Sequence, residues 1–101
     1  MTTLSEMTDH ELNLAVEKEV VGKRLGDPPP YYTDDATDAM WVLFEMVMRG
    51  WHSEIDRVGD DAEVYFLKTT GPWPFGLGRD KSLYRAICEA AVAAIRSEKG
   101  K

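Results

Sequence analysis

The segment 71–85 combines glycine, aromatic and basic residues, a mixture that can bind anions. Arg79 and Lys81 precede the predicted start of the last helix, where free backbone amides favour a negative charge. The rings of Trp73 and Phe75 could stack on a nucleotide base. The alternative is that the rings cover an edge of a sheet while the charges are solvated. The candidate ligand-binding or partner-binding residues are Trp73, Phe75, Arg79, Lys81, Ser82 and Arg85.

Two standard phosphate-binding motifs do not fit this segment. A P-loop requires glycine immediately before Lys-Ser, and the residue there is Asp80, whose carboxylate repels phosphate. The dinucleotide motif requires a third glycine at position 81, which is Lys81. Pro72 and Pro74 restrict the backbone around Trp73, which suits recognition of a partner or a flat anionic ligand. We therefore predict that the segment binds rather than catalyses.

Few residues stand in catalytic arrangements. His10 is predicted in a first helical turn and His52 at the start of a strand, and neither has a Ser or Cys partner at a recognisable spacing. Cys88 lies in an apolar helix, where a thiol is usually a small buried hydrophobe. His10, His52 and Cys88 do not have the i, i+4 spacing of a helical metal site from one another. We predict a protein that is not an enzyme and uses neither cofactor nor metal.

The net charge of −6 is distributed unevenly along the chain. Residues 34–63 carry nine acids and two bases, whereas residues 64–101 carry three acids and seven bases. A general nucleic-acid binder needs a net basic surface, so this class is excluded. The alternative to a binding role is that solvated surfaces simply carry charge. The candidate acidic partner face consists of Asp34, Asp35, Asp38, Glu54, Asp56, Asp60, Asp61 and Glu63.

The length of 101 residues predicts a single domain, 1–101, with an ordered core over about 8–98. One cysteine excludes an internal disulfide and favours a reducing compartment. The longest apolar stretch, 39–48, contains Glu45 and is too short to span a bilayer. We therefore expect a soluble protein in the cytoplasm.

Two helices are predicted in the N-terminal half. Thr8 and Glu11 form a capping box for the first helix, which ends at Gly22 and buries Leu12, Ala15, Val16 and Val20. The prolines at 28–30 predict a stiff connection. Thr33 is expected to cap the second helix, over 36–48, which is apolar on two sides. Because one domain cannot cover both sides, we predict a homodimer through Trp41, Phe44 and Met48.

The C-terminal half predicts a hairpin and a third helix. Strands over 51–58 and 62–69 flank a turn at 59–61, a short third strand is possible at 75–78, and Ser82 caps the last helix. The order α-α-β-β-(β)-α predicts an α+β fold with three helices packed on a small antiparallel sheet. The expected core consists of Leu43, Val47, Ile55, Val64, Phe66, Ile87, Ala90 and Ala94.

Four short segments share the order and spacing of one protein family. They are EVVG at 19–22, YTD at 32–34, AMW at 39–41 and AIC at 86–88. With the hairpin between them, they make residues 10–96 resemble the phage ABA-sandwich domain family. The chain departs from that pattern in the short proline spacer and in the segment 71–80. The resemblance implies an α+β fold and a bacteriophage or prophage origin, without an established reaction.

The resemblance leads to three functional hypotheses. The first is a non-catalytic phage protein that binds and inhibits a host factor in the host cytoplasm, with an antiviral defence component as the leading candidate. Arrayed carboxylates would imitate phosphates and an aromatic loop would add contacts. The second is sequestration of a small nucleotide signal by the basic-aromatic loop 71–85. The third is a phage accessory or assembly protein.

Overall fold

Helices and strands follow one another in the order α-α-β-β-β-α, which confirms the predicted α+β fold. The computed structural model describes residues 4–22, 32–68 and 75–99. The predicted proline connection at 28–30 lies outside these residues. The described elements are a 3₁₀ turn (Leu4–Glu6), helix α1 (Asp9–Ala15), a π-helical segment (Val16–Val21), helix α2 (Ala36–Met48), strands β1 (His52–Val58), β2 (Asp61–Leu67) and β3 (Phe75–Asp80), and helix α3 (Leu83–Lys99). No helix in these ranges is long and apolar enough to cross a membrane.

The first helix begins and ends as the sequence predicts. The Thr8 hydroxyl accepts from the Glu11 amide at 3.1 Å, and the Glu11 carboxylate accepts from the Thr8 amide at 2.9 Å. Gly22 ends the π segment with a φ of 86°, a left-handed conformation that glycine adopts without strain. The predicted inward side chains of this helix are all buried.

The cap of α2 differs from the prediction. Thr33 was expected to cap this helix, but the Asp35 carboxylate does so, accepting from the Asp38 amide at 3.1 Å. Asp and Thr are both good N-cap residues, so tertiary contacts decide between them. Thr33 is buried, and its amide donates to the Asn13 side chain at 3.1 Å. This contact holds Thr33 in the core, two residues before the cap Asp35.

The three strands form one antiparallel sheet in the order β1-β2-β3. β3 extends over Phe75–Asp80, so the possible third strand exists and is two residues longer than predicted. The turn is also tighter, because Asp61 already belongs to β2. Ile55 is paired with Val64, and Val64 with Gly78, in a row on the side of the sheet that contacts the helices. Glu54, Tyr65 and Leu77 form the neighbouring row on the opposite side.

The glycines of β3 allow α3 to approach the sheet unusually closely. A Cβ atom added to Gly76 would lie 2.6 Å from the Ala94 Cα, and one added to Gly78 would lie 2.6 Å from the Ala90 amide nitrogen. No side chain fits at such distances, so both positions require glycine. Two of the three glycines that suggested an anion-binding loop therefore have a packing role.

Helix α3 runs through the centre of the molecule. Its alanines 86, 90 and 94 meet the sheet, and α1, the π segment and α2 pack on its other sides. The prediction that Val64, Phe66, Ile87, Ala90 and Ala94 form one core is confirmed. The prediction is wrong for Val47 and Ile55, which are 49% and 50% exposed, and Leu43 is only partly buried. The reason is that α3 lies mainly over β2 and β3, while α2 turns Ala39, Val42 and Met46 inward.

Candidate functional site

The predicted basic-aromatic segment is divided between a strand and a helix. Trp73 lies outside the described residues. Phe75 and Arg79 lie on β3 and point to the same side, four residues or about 13 Å apart. The Arg79 guanidinium is paired with Asp61 at 3.0 Å, and Lys81 is exposed. Phe75 and Arg79 are therefore too far apart to contact the same small group of a ligand.

The start of α3 already carries a negative group of the chain itself. The Ser82 hydroxyl accepts from the Arg85 amide at 3.3 Å, which confirms Ser82 as the cap of this helix. The Ser82 amide in turn donates to the Asp80 carboxylate at 2.9 Å. Because Asp80 places a carboxylate beside this helix start, which would repel a second anion, the start of α3 is a poor site for phosphate.

Arg85 is a structural residue in this arrangement. Its side chain is 11% exposed and contacts Glu89 at 2.9 Å, Asp9 at 2.5 Å and Asp80 at 3.5 Å. It also donates to the backbone carbonyl of Met7 at 2.6 Å, which joins the N-terminal segment to α3. Burial raises the pKa of Glu89 above its ordinary value, and the adjacent Arg85 opposes that rise. The guanidinium therefore stabilises the fold and has little capacity left for a ligand.

The side of the sheet that faces away from α3 is solvent-accessible, and we call it the open face. Val64, Phe66, Gly76 and Gly78 lie on the side of the sheet that contacts α3. Because side chains alternate along a strand, the residues between them lie on the open face. Acidic side chains lie mainly on β1 and β2, whereas apolar side chains lie towards β3. The open face comprises His52, Glu54, Asp56, Glu63, Tyr65, Leu67, Phe75, Leu77 and Arg79.

A shallow depression of about 390 Å³ lies on the open face. The Tyr65 and Phe75 rings line it with centroids 5.9 Å apart, next to the carboxylates of Glu54 and Asp56. The Tyr65 hydroxyl donates to Glu63, and this bond, with the surrounding carboxylates, raises the pKa of Tyr65. Aromatic rings beside carboxylates attract guanidinium and ammonium groups and repel anions. The depression is therefore suited to a cationic side chain.

The eight predicted acidic residues do not form one continuous face. Glu54, Asp56 and Glu63 occupy neighbouring rows of the open face, with Asp60 and Asp61 at the adjoining turn. The other three acids, Asp34, Asp35 and Asp38, lie at the start of α2, which packs on another side of α3. Only the first group shares a surface with the aromatic depression.

A second exposed surface lies on α2, and its apolar character is unusual. Met40, Trp41, Phe44, Val47 and Met48 are all exposed, and we call this surface the α2 outer face. The rings of Trp41 and Phe44 meet edge to face, with centroids 6.3 Å apart. A depression of about 450 Å³ is lined by Thr37, Met40, Trp41 and Phe44. The three residues predicted for self-association are thus exposed together on one surface.

Several residues of these surfaces were not predicted to lie on them. His52 and Leu67 lie on the open face by the same alternation as Glu54 and Tyr65, and Leu77 joins them because β3 pairs with β2. Met40 and Val47 extend the α2 outer face, and the signal for them was the second apolar side of the helix.

The residues with catalytic potential are separated from one another. Cys88 is fully buried in α3, and burial raises the pKa of its thiol to about 12. His10 is exposed on α1. His52 lies on the edge strand β1, with its Nε2 atom 3.8 Å from the Glu54 Oε2 atom. Within the described ranges, no group of three or more His, Cys, Asp or Glu residues could hold a metal ion.

No protein-family model matches this sequence, and neither the curated proteins nor the solved structures contain a match. The resemblance to the phage family stays a prediction. The open face and the α2 outer face are therefore the two surfaces from which we infer a function.

Proposed function

We propose that the protein acts without catalysis, by binding a basic surface of another protein with its open face. The observation that carries this proposal is the aromatic depression lined by Glu54 and Asp56, with Glu63 bonded to the Tyr65 hydroxyl beside it. A guanidinium group from a partner would pair with these carboxylates and lie against Tyr65 and Phe75.

The rigidity of the sheet supports this role. β2 is paired on both sides, and β3 is held against α3 by the close contacts at Gly76 and Gly78. A surface that is ordered before binding loses little conformational entropy in the complex. Acidic residues on such a surface also accelerate encounter with a basic partner at low salt.

The phage resemblance leads to a narrower form of the proposal. In this form the partner is a host protein, an antiviral defence component, and binding inhibits it by covering a groove that binds nucleic acid. The carboxylates of the open face would then occupy positions that phosphates take in the groove. The Arg79–Asp61 pair and the Asp80 carboxylate at the start of α3 speak against sequestration of a nucleotide signal.

An arginine-rich peptide is a defined probe for the open face. We expect neutralisation of two exposed carboxylates, by Glu54→Gln with Asp56→Asn, to weaken peptide binding at least about tenfold in fluorescence anisotropy. The matched control removes the same charge elsewhere, by Glu6→Gln with Asp34→Asn, and should leave affinity within about twofold. Equal losses for both double variants would show only a general charge effect and would refute an open-face site.

The narrower proposal is tested by capture from bacterial host lysate with identification by mass spectrometry. We expect wild-type protein and the control variant to retain a nucleic-acid-binding protein that the open-face variant loses. A DNA duplex should compete for that protein. The proposal would be contradicted if all three proteins retained the same partner. It would also be contradicted if the captured partner were acidic and DNA did not compete for it.

A further inference from the structure

The α2 outer face has the composition of a helix–helix interface. Thr37, Trp41, Phe44 and Met48 follow one another at intervals of four, three and four residues, which is the spacing of a heptad seam. Met40 and Val47, which lie beside this seam, are also apolar and exposed. Asp38, Glu45 and Arg49 lie beyond the margin of this seam, so a wide arc of a surface helix carries no charge.

The exposed area is sufficient for a stable contact. Exposure runs from 49% for Val47 to 69% for Met48, which amounts to on the order of 600 Å² for the five side chains. A patch of this size lies at the upper limit for ordinary monomers. Two copies facing one another would bury on the order of 1,200 Å², which reaches the range of specific interfaces.

We propose that a second copy of this chain covers the α2 outer face, with the two α2 helices antiparallel about a two-fold axis. The axis would pass between Trp41 and Phe44, so that each Trp41 packs on the partner copy's Phe44. The small Thr37 would then lie opposite the long Met48 at both ends. Such a contact is closed and symmetric, as most homodimer interfaces are. This proposal does not rest on the open-face function.

The charges at the two ends of α2 favour the antiparallel arrangement. Asp34, Asp35 and Asp38 lie at its start, whereas Arg49 follows its end. Arg49 is paired with Glu45 at 3.0 Å, so the end of α2 has no net charge. Antiparallel packing keeps the acidic starts of the two helices apart and aligns the helix dipoles favourably. A parallel pair would instead place six aspartates side by side.

The mass in solution tests whether the dimer exists. We expect sedimentation equilibrium to give about twice the monomer mass of 11.4 kDa at high micromolar concentration. Phe44→Glu should raise the dimer dissociation constant roughly 30-fold or more, as loss of a central aromatic anchor does. Leu77→Glu is the matched control, because it changes an apolar residue of similar exposure on the open face. A wild-type monomer, or equal weakening by both variants, would overturn the proposal; circular dichroism confirms that each variant is folded.

Disulfide cross-linking tests the orientation. In the antiparallel pair, a variant with both Thr37→Cys and Met48→Cys should form a covalent dimer on mild oxidation, and either single substitution should not. The native Cys88 will not compete, because it is fully buried. Efficient cross-linking by a single variant would indicate a parallel pair, and absence of cross-linking in the double variant would exclude this seam.

Discussion

Arginine 85 illustrates how the same residue type has different roles at different depths. Its side chain is 11% exposed and faces Glu89, which is 5% exposed, so neither charge has much contact with water. Arg96, on the same helix, pairs with Glu19 through two bonds of 2.8 Å but is 45% exposed. Removing one partner of a buried pair leaves an uncompensated charge, whereas an exposed pair can be replaced by water.

We therefore expect Arg85→Met to lower the free energy of unfolding by about 3 kcal/mol at neutral pH, and Arg96→Met by less than about 1 kcal/mol. Without its cation, the pKa of Glu89 rises further in the folded state, so the loss grows as pH rises above the ordinary carboxyl value of 4.5. Below that value, Glu89 is protonated in both states and the loss is smallest. Urea unfolding at several pH values measures this dependence.

A second substitution separates charge from packing. Adding Glu89→Met to Arg85→Met should restore most of the stability, since it removes the buried carboxylate. If the double variant is less stable than Arg85→Met, the contacts of Arg85 with the N-terminal segment dominate instead.

At the scale of elements, the sequence predicts order and type well and predicts which side faces inward less well. Periodicity and capping residues were sufficient to locate α1 and α3, because each has a capping residue and a regular apolar pattern. Helix α2 has two, and the structure buries Met46 while leaving Val47 exposed. Periodicity cannot choose between two apolar sides; that choice depends on how α3 packs on the sheet.

The candidate site was predictable in part for the same reason. Alternation along the hairpin placed Glu54, Asp56 and Glu63 on the side away from the helices, as observed. The glycines of β3 were ambiguous, because a ligand and a helix both require bare backbone at close distance. Only the three-dimensional contact with α3 distinguishes these possibilities.

The contact between β3 and α3 leads to a prediction at this scale. Gly76→Ala or Gly78→Ala should lower the free energy of unfolding by about 2–4 kcal/mol, because the added methyl group meets backbone atoms of α3. Truncating Ala94 to glycine should not restore stability, since the Ala94 Cα and amide nitrogen remain. Thermal denaturation measures the effect.

The control for this prediction is Leu77→Ala, which lies between the two glycines and points to the open face. We expect it to change the free energy of unfolding by less than about 1 kcal/mol. A Gly76→Ala protein as stable as this control would mean that α3 lies farther from the sheet than described.

For the whole molecule, the central position of α3 separates the two exposed surfaces. The open face lies on the sheet, and the α2 outer face lies on a helix that packs on another side of α3. A dimer through α2 therefore leaves both open faces accessible. Such a particle would bind two basic sites at once and would gain avidity wherever a partner presents them in pairs.

The close contact of β3 with α3 also has a consequence for how the chain folds. Lys81 and Ser82 alone connect β3 to α3. The contact between these two elements, such as that of Gly78 with Ala90, therefore closes a loop of only about a dozen residues, at a modest entropic cost. Contacts that are local in sequence form early. We expect Ala90→Gly, in the centre of this contact, to slow folding with a φ-value near one, and Val42→Ala in α2 to act mainly on unfolding, with a φ-value nearer zero. Stopped-flow chevron plots measure both, and the reverse ranking would show that the chain first collapses around α2.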